Sequence, residues 1–355
     1  MPSIKDVAAE ARVSSSTVSK VLNERTDANI SLATRERIRI AAHRIGYHPS
    51  ALARGLAGKR MNTIGVVMAY SQESVTSDPY LGPCLDGILA AGKTHQQRIT
   101  LFLEGDWSDA LQNVPVYGAG NCDGLLVIIP RVPSPFLAHL KDRHPRLPFV
   151  LIGDSRDTEP FPCVDLDNVE AARQITAHLI RHGHRRIAAF CGNRDFSSNG
   201  QRFTGYRQAL LEAGIPFDPT LVFPGEYHAE DGARNAALLL DCFKNADRPT
   251  AVFGFCDVVA IGAMNELRKR GLRVPDDISV VGIDDSPQSC GSGLTTIRQS
   301  VSQVGRVATE TLLRIIADEM PPTARVLLPP VLIERGSVGR GAFAINEETN
   351  EMKGF

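Results

Sequence analysis

From Thr63 onward, apolar runs of strand length alternate with amphipathic stretches of helix length, and this alternation restricts the fold more than any single motif does. The runs are Ile64–Met68, Ile99–Leu103, Leu125–Ile129, Phe149–Ile152, Arg186–Phe190, Ala251–Phe255 and Ile278–Ile283. Helical stretches lie between most of them, which predicts βαβ units and parallel sheets whose strands are covered on both faces. With 355 residues, 43% of them apolar, the chain can fill two or three cores. Seven such strands with their helices suit two doubly wound lobes better than one oversized sheet. Ligands of open α/β sheets sit at the carboxyl ends of the strands, so two facing lobes enclose a cleft.

The first sixty residues read differently. They hold eleven Lys/Arg against five Asp/Glu, whereas the remainder carries an acidic excess and the whole chain is −1. A small basic module joined to a larger acidic one is the charge pattern of a polyanion-binding domain attached to something else. Ser3 and Asp6 have capping-box spacing ahead of Val7, Ala8 and Ala11. Ser14 is the natural cap of a second helix, Ser15 to Asn23, with Val18, Val21 and Leu22 inward. Two short helices with a tight turn make a helix-turn-helix, and Ser15, Ser16, Thr17, Ser19, Lys20 and Asn23 are its candidate DNA-reading residues. Short hydroxyls and one cation leave that helix slim enough for a major groove about 12 Å wide. A third helix starts at Ser31, buries Ile38, Ala41, Ala42 and Ile45, and ends at Gly46. Ser50 then caps a very short fourth segment, Ala51 to Leu56, which is too short to be stable alone.

In order along the chain, "IKDVAAEARVSSSTVSKVLN", "TRERI" and "GYHPSALARGLAGK" resemble the DNA-binding head and hinge of LacI/GalR-family bacterial transcription regulators. The resemblance continues through "CDGLLVIIP", "RFTGYRQAL", "RPTAVFGFCDVVAIGAMNELRKRGLRVPDDISVVGIDD" and "LTTIRQSVSQVGRVA". It implies a small all-α helix-turn-helix head plus an α/β periplasmic-binding-protein-like core of two doubly wound lobes. The implied divisions are a head at 1–48, a hinge helix and linker at 49–61, an effector-binding and dimerisation core at 62–340, and a tail at 341–355. Lobe crossings are expected near Asp165, Thr296 and Arg325, giving a first lobe of 62–165 and 297–324 and a second of 166–296 and 325–340. The resemblance also implies a hinge segment that folds on operator DNA with Leu56 wedged into the minor groove beside Ala53 and Arg54. Asp284 and Arg202 match effector-contacting positions of the family, and Asp257 stands in the "FCD" that replaces its usual Ala-Asn-Asp, with Cys256 in the asparagine place. Tyr80, Phe196 and Tyr227 fall where the family often places rings, and an aromatic face suits the apolar face of a pyranose. The expected function is therefore a DNA-binding regulator, repression being the commoner family behaviour. It would act as a homodimer on near-palindromic operator DNA and respond to a small molecule, a sugar or sugar derivative, held between the lobes.

Two other classes of function have a footing in the residues. "GILAAGKT", Gly87 to Thr94, fits the phosphate-loop pattern letter for letter, which raises a nucleotidase. Yet "SDPYLGPCLD" ahead of it is a turn and a helix start, and Leu81, Leu85, Ile88 and Leu89 recur at helical spacing. The order is helix then strand, the reverse of a phosphate loop, with Gly92 read as the glycine that ends the helix and Lys93 as a cation at its negative pole. The second alternative, a solute-binding protein, has no use for a basic head. No G-x-S-x-G or H-E-x-x-H is present, so catalysis is not expected. Seven well-separated cysteines argue for reduced thiols in a cytoplasm and against a zinc site, and the histidine pair in "RHGHRR" is read as helix-capping. No metal and no cofactor are expected, and the family resemblance implies a place at the nucleoid. No apolar run approaches a membrane span. The tail "GAFAINEETNEMKGF" shows no leucine heptads, so no further zipper is expected.

Overall fold

The computed structural model describes residues 2–22, 30–47, 60–70, 74–155, 161–243 and 247–341. Its head holds helices Ile4–Glu10, Ser15–Leu22 and Leu32–Arg44. The expected caps are formed. Ser3 and Asp6 complete a capping box, the Thr17 N–H donates to Ser14 Oγ at 3.1 Å, and Ser31 accepts from the Thr34 N–H. Gly46, at φ 68°, follows the third helix in the left-handed region that favours glycine. Val7, Ala11, Val18, Val21, Ile38 and Ala41 form one small core between the three helices.

The rest is two six-stranded sheets. Strands β1 (Thr63–Ala69), β2 (Arg98–Glu104), β3 (Gly124–Ile128), β4 (Phe149–Ile152) and β5 (Cys163–Leu166) belong to the first, and β6 (Ile187–Phe190), β7 (Val222–Phe223), β8 (Ala251–Gly254), β9 (Ser279–Asp284) and β10 (Thr295–Arg298) to the second. With β11 (Arg325–Leu328) and β12 (Val331–Ile333), the orders are β11-β5-β4-β3-β1-β2 and β12-β10-β9-β8-β6-β7. All pairings are parallel except β10 with β12. Successive side chains of a strand point to opposite faces, so the apolar runs feed two cores per sheet. Ile64, Val66 and Met68 pack on one side of the first sheet and Val67 on the other; Ala188 and Phe190 divide from Ile187 and Ala189 in the same way in the second.

Every predicted strand is present, but the lobe boundaries lie a few residues beyond those expected. Strand β5 continues through Leu166, so the first crossing leads into the helix Asn168–Arg181. Thr296 lies inside β10 of the second sheet, which puts the second crossing after Arg298. Arg325 starts β11, which pairs with β5 in the first lobe, and the third crossing falls at Pro329 and Pro330, residues without an N–H to continue a ladder.

The phosphate-loop pattern lies wholly within the helix Leu81–Thr94. Gly92 does not end it: the helix runs on through Thr94 to a cap at His95, a correction to the expected stop. Its neighbour is the helix Val301–Ile316. A Cβ on Gly87 would stand 1.9 Å from the Ser302 carbonyl oxygen, and one on Gly305 would stand 2.2 Å from that of Cys84. The two glycines let the helix backbones touch, so Gly87 serves packing, and amides bonded within a helix cannot cradle phosphate.

Candidate functional site

The second head helix presents Ser16 and Lys20 to solvent, while Ser15, Thr17 and Ser19 are half-buried. The Thr17 hydroxyl lies 2.8 Å from Ser14 Oγ, so it also serves the helix cap. Arg37 donates to the Ala11 carbonyl at 3.0 Å and Arg44 pairs with Glu10 at 3.0 Å, ties that hold the third helix against the first. Asn23, Ala53, Arg54 and Leu56 lie outside the described residues, as do the expected hinge helix and the tail.

Between the lobes, β9 ends in a strained turn. Asp284 has φ 146° and Asp285 φ 58°, conformations that side-chain-bearing residues rarely adopt. The turn is held from both sides. Asp285 pairs with Arg298 at 2.7 Å and Arg335 at 2.5 Å, and the Gln299 N–H donates to the Asp284 carbonyl at 3.2 Å. From behind, Asp257 accepts from the Ser286 N–H at 2.8 Å and the Thr296 hydroxyl at 2.6 Å, while its own N–H donates to Asp284 Oδ2 at 3.2 Å. Asp257, expected as an effector contact, is thus a fully buried brace whose carboxylate oxygens are engaged within the second lobe. Asp284 remains open to the cleft. Burial, and then the nearby Asp257, push its carboxyl up to about 7 against the pull of Arg202.

Arg202 sits where the crossings meet. It is buried, donating to Asn168 Oδ1 at 2.8 Å, to the Phe255 carbonyl, and to Gln299 Oε1 at 3.4 Å. Asn168 in turn donates to Asp165 at 3.1 Å. Asp165 also accepts from the Ser155 hydroxyl at 3.0 Å, and burial pushes its carboxyl up to about 7 despite these bonds. Gln201 donates to the Ser155 carbonyl at 2.9 Å, joining the second-lobe helix Ser197–Glu212 to the first lobe. At the opposite edge Arg131 pairs with Asp195 at 3.1 Å, and the Val132 N–H donates to the Asp195 carbonyl at 2.7 Å. Loops of both lobes therefore meet across the cleft.

Tyr80 stands at the entrance of the Leu81–Thr94 helix with its hydroxyl beside Gly153, and the buried oxygen has no hydrogen-bond partner among the described residues. Ser197 Oγ, at the head of the facing helix, is likewise buried without one. Phe196 and Tyr227 pack 6.0 Å apart at 34°, both in the second lobe. The Tyr227 hydroxyl lies 3.3 Å from that of Ser198, and burial raises its pKa to about 12. Cys256 is buried at the start of the helix Asp257–Lys269, where burial pushes its thiol up. A cavity of 410 Å³ opens between the lobes, lined by Tyr80 and Pro83 from the first, Asp284, Asp285 and Arg298 from the second, and Ser300 at the crossing. Of the expected effector residues, Tyr80 and Asp284 line this cavity, whereas Phe196, Arg202, Tyr227 and Asp257 do not. Sequence reasoning missed Ser155, Asn168, Ser197 and Gln299, and it read Asp165 only as a crossing. The available signal was position: Asp165 lies within β5 and Gln299 directly follows β10, Ser155 comes three residues after β4, and Asn168 and Ser197 open helices. Among the described residues no group of three or more His, Cys, Asp or Glu could hold a metal, and no helix is long and apolar enough to cross a membrane.

Residues 3–50 match the description "Bacterial regulatory proteins, lacI family", and residues 176–338 match "Periplasmic binding protein-like domain". The HTH-type transcriptional repressor PurR of Aliivibrio salmonicida is 32% identical over 344 residues, 95% of this chain and 99% of that protein. The chain belongs to the LacI family. This LacI-family protein is a DNA-binding transcription regulator with a helical head and a two-lobed core. The lac repressor dimer bound to operator and an anti-inducer superimposes at a TM-score of 0.80 with 26% identity, over 95% of this chain and 99% of that one. The regulator CelR in complex with cellobiose gives 0.72 and 30%, over 95% and 100%.

Proposed function

We propose that this LacI-family regulator is a repressor whose operator affinity is set by a small, hydroxyl-rich molecule, a sugar or sugar derivative, bound between its lobes. The carrying observation is that Tyr80 of the first lobe and the strained Asp284 of the second line one interlobe cavity. A cavity of 410 Å³ is the size of small-ligand sites, and its carboxylates and hydroxyls converge on one another across the lobes. Tyr80 and Asp284, which line the cavity, contact the ligand; Arg202, buried and bonded to Asn168, Phe255 and Gln299, is assigned to it with Phe196 and Tyr227 on the family resemblance, and Asp257 holds Asp284 in place. The cellobiose and lac repressor complexes support that reading by analogy. Ser15, Ser16, Thr17, Ser19, Lys20 and Asn23 read the major groove, and Ala53, Arg54 and Leu56 the minor groove. No catalytic role is assigned, and the protein works in the cytoplasm on the nucleoid.

The working unit is a homodimer, as in the lac repressor complex. Strand β2 is the edge of the first sheet, and Leu101 and Leu103 on one of its faces are 53% and 55% exposed, with Leu89 of the adjacent helix at 51%. An apolar sheet edge is a surface a second copy would cover.

The test begins with a duplex selected in vitro by the wild-type chain. A thermal-shift panel of sugars, sugar acids, sugar phosphates and nucleobases then identifies a stabilising ligand. Operator affinity should fall steeply with salt and should change when that ligand is added, since coupling between sites is reciprocal. A panel without a stabiliser, or a ligand that leaves operator affinity untouched, would sink the proposal.

A further inference from the structure

The chain enters its core through residues 60–63, and this short stretch is bonded down at both of its buried residues, Met61 and Thr63. The N–H groups of Met61 and Thr63 both donate to the carboxylate of Asp123, at 2.7 Å to Oδ1 and 3.2 Å to Oδ2. The Asp123 N–H returns a bond to the Thr63 carbonyl at 2.8 Å. Between the two clamped amides Asn62 takes φ 52°, and the Thr63 hydroxyl donates to the Met61 carbonyl at 3.3 Å. Met61 is buried. Arg60, one residue earlier, donates to the Ile316 carbonyl at 2.6 Å, the exposed negative end of the helix Val301–Ile316. The other end of that helix, from Ser300 to Gln303, lines the interlobe cavity.

We propose that Asp123 is a positioning residue for DNA binding: by gripping two amides on either side of Asn62 it fixes the point and direction in which the linker to the head leaves the core. Two heads must reach half-sites at a spacing set by the DNA helix, so each residue freed at the linker base dilutes the second head at its half-site. The clamp removes that freedom before DNA is met. It also places the linker base on the same lobe, and against the same helix, that faces the ligand cavity. The proposal rests on the DNA-binding function of the family and goes beyond it by assigning the anchor.

Charge and positioning make opposite predictions for Asp123, which gives a decisive test. Deleting a carboxylate from a protein that binds a polyanion should, if anything, tighten binding on electrostatic grounds alone. Loss of the clamp should weaken it. The full-length chain and its Asp123→Ala and Asp123→Asn variants are titrated with the duplex selected by the wild type, at several salt concentrations, beside thermal melts of each. The expected result is roughly tenfold weaker binding for Asp123→Ala at every salt concentration with an unchanged salt slope, because the head keeps its phosphate contacts. Asp123→Asn keeps one acceptor, so a smaller loss is expected, and it alone is read by the same criteria if the alanine variant fails to fold. Unchanged or tighter binding in the folded variants overturns the proposal, as does a shallower salt slope or a loss that only tracks a lowered melting midpoint. A wild-type chain that selects no duplex overturns the DNA reading itself and the proposal with it.

Discussion

Asp284 shows how one side chain acquires chemistry its type does not announce. Its identity and its place after an apolar run are visible in "VVGIDD", but the bond from Gln299 that holds its strained turn and the brace from Asp257, 27 residues away, are not. The sign of the resulting pH effect follows from linkage. The folded carboxyl titrates near 7 and the unfolded one near its ordinary 3.8, so between those values the folded state binds the proton more tightly. The group therefore opposes folding progressively as pH rises from about 4, and fully above 7. Asp284→Asn keeps an oxygen to accept from the Asp257 N–H. Its melting temperature relative to the wild type should climb between pH 4 and pH 7 and level off above that. A difference that is flat with pH, or that shrinks as pH rises, would contradict the burial argument. The buried His178, held down to about 4, titrates in the opposite sense, which is why the comparison is made between variant and wild type at each pH.

Periodicity made most elements legible, and pairing decided what they do. Helices capped by Ser3, Ser14 and Ser31 could be placed because a cap and its hydrophobic stripe are local signals within a few residues. Strands β5, β10 and β11 escaped because polar Asp165, Thr295, Thr296 and Arg325 interrupt runs only four residues long, and β7 and β12 are shorter still. The helix Leu81–Thr94 was legible as a helix, whereas the purpose of Gly87 was not, since the Ser302 carbonyl it admits belongs to an element over two hundred residues later. Two outcomes separate packing from phosphate binding. Gly305→Val, which drives a side chain into the Cys84 carbonyl, should destabilise the core by about 1–3 kcal/mol in chemical denaturation. Lys93→Ala, at an exposed helix end, should stay within about 0.5 kcal/mol of the wild type. Saturable binding of a nucleoside triphosphate that disappears in Lys93→Ala would reverse this conclusion.

For the whole molecule, two lobes joined by three crossings put any ligand bound between them where it can alter both lobes at once, and in the proposed homodimer two heads act together. Replacing Leu101 and Leu103 together with Glu should leave the fold intact and shift sedimentation toward the monomer, because charges on the edge strand oppose apolar association. Operator affinity should then fall by well over tenfold, since a single head loses the second half-site. A double variant that remains dimeric would move the interface elsewhere. The sequence by itself determined the inventory: a basic three-helix head and seven strands of a parallel α/β core. These follow from signals carried by near neighbours. Only the tertiary structure decided where the chain changes lobes, that Asp257 braces Asp284, that Gly87 admits a helix backbone, and that Arg202 meets Gln299 and Arg60 meets Ile316 across 97 and 256 residues. Such contacts leave no local pattern, because the chain pays their loop-closure entropy only when the packed sheets bring the partners together.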